Sequence, residues 1–223
     1  GQACPAGYYC PAGTTSVCLV ESGSCNSDDT IPCPAGTYSG YRKGLTHGGE
    51  CKPCPPGHWC EAATVDPNPC PPGTYQPSFN TTTLSSCLPC DAGFACPSIG
   101  LSTPFLNCSA GHYCPRGTIY PEDHPCPPGT MNNAIGSQAI EDCVSCPEGM
   151  SCDFGTGGSR PQETACTKGH YCPSGTPLGT KFPCPGGTWS NATNLKHWDE
   201  CLPCPRGKYC AEGSFVPLPC SAG

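Results

Sequence analysis

Large apolar side chains are scattered singly along this chain, set among Cys, Gly, Pro and polar residues. No segment places them on one face of a helix over several turns, and none alternates apolar and polar residues long enough to build a sheet. Asn194 to Glu200 is the one stretch expected to form a helical turn. Elsewhere the pattern predicts tight turns followed by short hairpins. In the recurring Cys-Pro-x-Gly, proline presets φ for the first turn position and glycine supplies a positive φ next to it. An aromatic residue often follows that glycine within two positions: Tyr8, Tyr9, Tyr38, Trp59, Tyr75, Phe94, Tyr113, Tyr171, Trp189 and Tyr209. These rings are read as lids on a disulfide and on the neighbouring module; binding of a ligand is the rival reading.

The turns belong to an internal repeat, the strongest signal in the chain. Its short form, Cys-x-x-Gly-x-x-Cys, runs Cys4 to Cys10, Cys54 to Cys60, Cys90 to Cys96, Cys108 to Cys114, Cys146 to Cys152, Cys166 to Cys172 and Cys204 to Cys210. Its long form opens Cys-Pro-x-Gly-Thr and closes on a Cys-x-x-Cys. Copies run Cys33 to Cys51, Cys70 to Cys87, Cys126 to Cys143 and Cys184 to Cys201. From Cys70 to Cys126 to Cys184 the super-period is about 57 residues. The expected segments are 1–32, a short module with an inserted loop around Cys18 and Cys25; 33–69, long and short; 70–125 and 126–183, long, short and short; and 184–223, long, short and the start of another. Cys220-Ser-Ala-Gly223 repeats Cys108-Ser-Ala-Gly111, so a further module is expected beyond it.

Composition explains why such modules need cross-links. The chain has 223 residues with 25 Cys, 30 Pro and 29 Gly, and too few large apolar side chains to fill a core. That cysteine density marks a disulfide scaffold, with cross-links replacing core burial. Disulfides persist in oxidising compartments, so the expected location is extracellular or at the cell surface. Net charge is −7, with 12% of residues charged and no basic patch, which argues against nucleic acid as a partner. No stretch approaches the length of a membrane span. No secretory leader precedes Gly1, so a processed chain or a part of a longer one is expected.

These residues resemble the ephrin-receptor-like cysteine-rich repeat. The matching text is Cys70-Pro-Pro-Gly-Thr-Tyr75 leading to Cys87-Leu-Pro-Cys90, and Cys184-Pro-Gly-Gly-Thr-Trp189 leading to Cys201-Leu-Pro-Cys204-Pro. The resemblance covers nearly the whole chain except Asn26 to Ile31 and the Cys18/Cys25 loop. It implies small disulfide-rich modules in tandem, an elongated rod of short β-hairpins and turns, with little or no helix and no large hydrophobic core. The Tyr-Tyr-Cys-Pro-Ala-Gly-Thr form looks most like protist and algal surface proteins. The tumour-necrosis-factor-receptor cysteine-rich domain is a related look-alike.

Two pairing schemes fit. If every module closes on itself, the bonds are the short and long pairs given above plus Cys18–Cys25, and Cys220 is left over. If successive short modules interleave, as in the receptor look-alike, the bonds become Cys90–Cys108, Cys96–Cys114, Cys146–Cys166 and Cys152–Cys172. The four long-module bonds are common to both.

Other chemistry is sparse. Four Cys-x-x-Cys pairs invite zinc or redox readings. The six histidines (His47, His58, His112, His124, His170, His197) lie at scattered offsets, and His58, His112 and His170 share one repeat position rather than forming a ligand cluster. Asp142 and Glu200 precede a cysteine, as acidic residues do in calcium-binding modules, but the rest of that motif is missing. No phosphate loop, paired-carboxylate signature or nucleophile motif is present. No catalytic residue, metal or cofactor is therefore expected. Asn80-Thr-Thr, Asn107-Cys-Ser and Asn191-Ala-Thr are N-glycosylation sequons, with a cysteine inside the second. Ser and Thr beside Pro admit O-glycans. A stiff, protease-resistant, glycosylated rod suits a structural protein of a surface filament, matrix or flagellar appendage that self-associates or meets other extracellular proteins. The stalk or ligand-binding ectodomain of a receptor is the alternative.

Overall fold

A computed structural model of the chain describes residues 3–11, 30–154, 157 and 165–220. They fall into two compact units. One comprises Gly1–Asp91, Ala95–Leu106 and Gly117–Ile119; the other comprises Ala92–Phe94, Asn107–Arg116 and Tyr120–Gly223. Each is built from small disulfide-rich modules of one design.

The turn comes first. Thr37 N–H donates to Pro34 O (3.0 Å) and Thr74 N–H to Pro71 O (3.2 Å) in the first unit; Thr130 N–H to Pro127 O and Thr188 N–H to Pro185 O (both 3.0 Å) do the same in the second. The glycine inside each turn, Gly36, Gly73, Gly129 and Gly187, has φ between +80° and +87°. That is a type II turn, whose third corner needs glycine. The proline after the cysteine thus stands at the first corner and contributes its carbonyl, one place earlier than expected. Where a second proline precedes glycine (Pro56, Pro72, Pro128), it fills the second corner. The threonine hydroxyl adds a bond of its own to the same carbonyl, 2.7 Å for Thr37 and 2.6 Å for Thr74.

Each turn opens a two-residue antiparallel ladder. Thr74–Tyr75 pairs with Leu88–Pro89, and Thr188–Trp189 with Leu202–Pro203. So short a strand tolerates the proline that precedes many of the opening cysteines, such as Pro53, Pro89 and Pro203, because nothing further asks for its missing N–H. No α-helix occurs among the described residues. A 3-10 turn does appear in every long module: Gly48–Glu50, Leu84–Ser86, Ile140–Asp142 and Trp198–Glu200. The single helical turn expected at Asn194 to Glu200 is therefore one of four, and the shortness of the other three hid them from a search for helical periodicity.

The disulfides close each module on itself. Short loops join Cys4–Cys10, Cys54–Cys60, Cys90–Cys96, Cys108–Cys114, Cys146–Cys152, Cys166–Cys172 and Cys204–Cys210. Long loops join Cys33–Cys51, Cys70–Cys87, Cys126–Cys143 and Cys184–Cys201. Cys18 and Cys25 lie outside the described residues. Among the described residues, Leu45, Ala95 and Leu195 are the only buried apolar side chains that are not cysteine. Sulfur is the core. Two of the aromatic lids are seen in place: Tyr9 packs on Cys33, Leu45 and Cys51 of the following module, and Tyr171 packs on Cys184, Leu195 and Cys201.

Backbone hydrogen bonds tie successive modules together. The N–H of each opening cysteine donates to the turn glycine one module earlier. In the first unit these bonds are Cys33 to Gly7, Cys54 to Gly36 and Cys70 to Gly57, all 2.8 Å; in the second they include Cys126 to Gly111 and Cys184 to Gly169, also 2.8 Å. The turn glycine's own N–H reaches forward to the residue three past the next turn glycine. It meets the carbonyl there in Gly73 to Cys96 O (2.8 Å) in one unit and Gly149 to Cys172 O (2.8 Å) in the other, and a hydroxyl in the case of Gly7.

A second positive-φ position completes the lock. It is occupied by Gly44, Ala63, Asn80, Gly100, Gly117, Gly136, Gly175, Asn194 and Gly213. Its N–H donates to the opening cysteine of the previous module, as Asn80 does to Cys54 O and Gly136 to Cys108 O (both 2.9 Å). Its carbonyl rests on the turn glycine two modules back. A β-carbon on Gly36 would lie 2.7 Å from Asn80 O, one on Gly73 2.7 Å from Gly117 O, one on Gly93 2.5 Å from Gly136 O and one on Gly149 2.5 Å from Asn194 O. Each loop therefore grips two preceding modules at once, and the turn glycine is required for space as well as for φ.

The two glycine positions should respond differently to substitution. Gly117→Ala meets nothing closer than Pro89 Cβ at 3.9 Å, so it carries only the left-handed backbone cost, about 1–2 kcal/mol. Gly73→Ala adds the collision with Gly117 O and should cost a further 1–3 kcal/mol or so, the usual scale of overpacking. Gly117→Asn should be milder than Gly117→Ala: both residue types occur at this repeat position (Ala63, Asn80, Asn194), but the short polar side chain of asparagine bonds locally and tolerates the left-handed region better. Denaturant unfolding of the oxidised variants reads the order; equal losses for Gly73→Ala and Gly117→Ala would contradict the packing described.

Candidate functional surface

Within the modules, polar side chains serve the backbone. In long modules the position three residues past the turn glycine, which is cysteine in short modules, holds Ser39, Gln76, Asn132 or Ser190, all buried. Gln76, Asn132 and Ser190 satisfy groups of their own loop, whereas Ser39 reaches the preceding module. Ser39 Oγ accepts Gly7 N–H at 2.9 Å. Gln76 Oε1 accepts Ser78 N–H at 2.9 Å while its Nε2 donates to Ser86 O. Asn132 Oδ1 accepts Ala134 N–H at 2.9 Å while its Nδ2 donates to Ser137 Oγ at 2.5 Å. Ser190 Oγ accepts Ala192 N–H at 3.2 Å. Buried polar groups cost little when paired this way. The signal was present in the sequence as the residue that replaces the second cysteine of the short form.

The residue before the closing cysteine is acidic in three of the four long modules, and its role was not read from the sequence. Asp142 Oδ2 accepts Gln138 N–H (2.7 Å) and Ala139 N–H (3.1 Å). Glu200 Oε1 accepts Lys196 N–H (2.9 Å) and His197 N–H (3.1 Å). Glu50 Oε2 accepts Thr46 N–H at 2.6 Å. These carboxylates cap the 3-10 turns. The calcium-module position of Asp142 and Glu200 is thus filled by a backbone-capping role. His58, His112 and His170 are held alike, with Nδ1 facing the carbonyl two residues back at 3.0, 3.2 and 3.0 Å. The ring edge of His58 lies against Gly100, and that of His170 against Gly213. Among the described residues, no group of three His, Cys, Asp or Glu side chains could hold a metal ion. Among them also, no helix is long and apolar enough to cross a membrane.

The three sequon asparagines are all exposed. Asn80 holds the left-handed position in its loop at φ +59°, and Asn191 lies in the corresponding loop of the last long module. Asn107 differs: it belongs to the strand Leu106–Asn107, directly before Cys108. Cys220 is exposed and has no disulfide partner among the described residues. The same repeat design leaves many large apolar residues exposed, among them Phe79, Phe105, Ile135 and Trp198.

No protein-family profile matches the chain. Curated relatives align with parts of it. It is 32% identical over 133 residues to "Signal peptide, CUB and EGF-like domain-containing protein 2" of Danio rerio, covering 57% of this chain and 12% of that protein. It is 33% identical over 106 residues to the corresponding protein 3 of Mus musculus, covering 45% of this chain and 10% of that one. It is 34% identical over 98 residues to "ABC transporter G family member 28" of Arabidopsis thaliana, covering 40% and 9%. The chain spans about a tenth of the length of these relatives. Proteins with such different names share a stretch of this repeat, so the similarity follows the cysteine-rich module rather than any one activity.

The capping carboxylates predict an acid limit. Backbone N–H donation, chiefly from Thr46, holds Glu50 below its ordinary value, and donation from Gln138 and Ala139 does the same for Asp142. A depressed carboxylate contributes stability above its unfolded pKa and loses it as pH falls through its folded value. The melting temperature should therefore be level through neutral pH and drop below the ordinary carboxylate range, about pH 4. In Glu50→Gln combined with Asp142→Asn that drop should be shallower. An identical acid profile in this double variant would show that the caps do not contribute.

Proposed function

We propose that this chain is part of an extracellular structural glycoprotein, a stapled rod that assembles into a surface filament, matrix or flagellar appendage and performs no catalysis. The observation that carries the reading is the interlock. Each loop binds the module before it and packs on the one before that, so bending between neighbours has to break backbone bonds. Disulfides require an oxidising compartment, and a core of cystine with turns closed by proline and glycine resists unfolding and proteolysis. Glycans on Asn80, Asn191 and Asn107 would cover the exposed loops. The five segments 1–32, 33–69, 70–125, 126–183 and 184–223 are the proposed building blocks. Mild acidity and scattered charge support contacts with further copies or other extracellular proteins rather than with nucleic acid.

A second reading, the stalk or ligand-binding ectodomain of a receptor, is favoured by one finding: relatives roughly ten times longer carry this stretch as a small part of themselves. Electron microscopy of the native material, isolated without reductant, separates the two. The first reading predicts polymers with an axial repeat set by the modules. Single particles that sediment only with membrane, and are released only by detergent, would replace it with the second.

A further inference from the structure

The three sequons are not equivalent, and the structure gives a reason. Asn80 and Asn191 sit in loops with no cysteine inside the sequon, and Thr82 and Thr193, which carry the acceptor-motif hydroxyls, are exposed. The Asn80 loop is held by its backbone N–H to Cys54 O (2.9 Å) and by Thr81 Oγ1 to His58 O, but by no disulfide at the sequon. Asn107-Cys108-Ser109 is built differently. Cys108 is fully buried and bonded to Cys114, only six residues on. Its N–H is committed to Gly93 O at 2.9 Å. Ser109 Oγ, the hydroxyl that a sequon must present, donates to Glu122 Oε1 at 2.6 Å. Every residue of this sequon is therefore engaged once the module closes: Asn107 in a strand, Cys108 in a disulfide and the neighbour's amide bond, Ser109 with Glu122.

We propose that Asn80 and Asn191 carry N-glycans and that Asn107 is a conditional site, open to glycosylation only while Cys108 and Cys114 are reduced. This rests on the glycoprotein reading above and adds to it an antagonism between two covalent modifications of one turn. In the transfer, the Asn107 carboxamide nitrogen takes C1 of an oligosaccharide carried on a lipid diphosphate. The C1–O bond to the diphosphate breaks, the C1–N bond forms, one amide proton is lost and the lipid diphosphate departs. The segment has to unfold locally into the transferase for this, and a disulfide joining cysteines six positions apart, anchored at a buried cysteine, forbids it. The same turn, once glycosylated, has a bulky group beside the thiol that must close the loop. Oxidation and glycosylation thus compete during synthesis, and the redox state of the compartment sets which modification Asn107 and Cys108 receive.

The test is made on the full chain, sent through a eukaryotic secretory pathway by a leader fused ahead of Gly1, with occupancy at each sequon read by glycopeptide mass spectrometry after enzymatic release in heavy-oxygen water. The oxidised wild type should show Asn80 and Asn191 occupied and Asn107 largely bare. Cys114→Ser, and separately Cys108→Ser with Cys114→Ser, should raise occupancy at Asn107 several-fold and leave Asn80 and Asn191 unchanged. A pulse of reductant during synthesis of the wild type should do the same. Because the glycan is added before folding is complete, a variant that fails to mature still reports. Occupancy of Asn107 equal to that of Asn191 in the oxidised wild type, or Asn107 remaining bare after the disulfide is removed, would overturn the antagonism. Bare Asn80 and Asn191, in cells that glycosylate a co-expressed control, would overturn the underlying glycoprotein reading whatever Asn107 does.

Discussion

A turn glycine whose α-carbon touches a carbonyl from two modules further on sets the geometry of successive modules. The contact leaves no room for a side chain, and the positive φ of the turn admits little besides glycine in any case. Once the turn is fixed, its two backbone polar groups have fixed partners: the glycine carbonyl accepts the next opening cysteine, and the glycine N–H finds the carbonyl beyond the next turn. In a chain without an apolar core, backbone groups cannot be left to chance, because each unpaired one in a confined site costs more than a single bond returns. Pairing them between modules solves that and joins the modules in the same step.

The disulfides make this arrangement stable rather than merely allowed. A short loop closed by sulfur restrains the unfolded chain and holds the turn in the shape that aims its N–H groups outward. The long loops restrain more chain, at about 3 kcal/mol for a loop of this size. Long and short modules present the same face to their neighbours although one closes at the position three past the glycine and the other well downstream. Ser39, Gln76, Asn132 and Ser190 account for this. Each stands where the short form has cysteine and keeps the backbone in the same place; the last three also hydrogen-bond the longer loop that follows. The two forms can then alternate freely along one repeat.

Much of this was legible in the sequence, and what was not has identifiable reasons. Cysteine spacing gave module boundaries and left two pairing schemes, because spacing alone says nothing of which sulfurs meet. The structure closes each module locally, Cys90 with Cys96 and Cys108 with Cys114. The first glycine of each module was recognisable as a turn residue from Cys-Pro-x-Gly. Its second role was not, since the carbonyl that excludes a side chain comes from residues such as Asn80 or Gly136, far along the chain. The left-handed position itself was hidden because Gly, Asn and Ala all occupy it, and three residue types at one place do not read as a motif. The 3-10 turns escaped because three residues carry no periodicity, although the acidic residue before Cys51, Cys143 and Cys201 marked three of them. Function is less legible than fold. The polar side chains whose partners are seen, Ser39, Gln76, Asn132, Ser190, Glu50, Asp142 and Glu200, bond the chain's own backbone.

Sulfur cross-links stand in for an apolar interior and hold the inter-module hydrogen bonds in place. Amide hydrogen exchange, compared between the oxidised chain and the chain after complete reduction and thiol blocking, tests it most directly. Amides such as those of Gly73, Cys90, Gly149 and Cys184 should be protected in the oxidised protein and exchange at unfolded-chain rates once the disulfides are gone. Slow exchange at those amides persisting in the reduced chain would mean that something other than the cystines holds the modules together, and would contradict it.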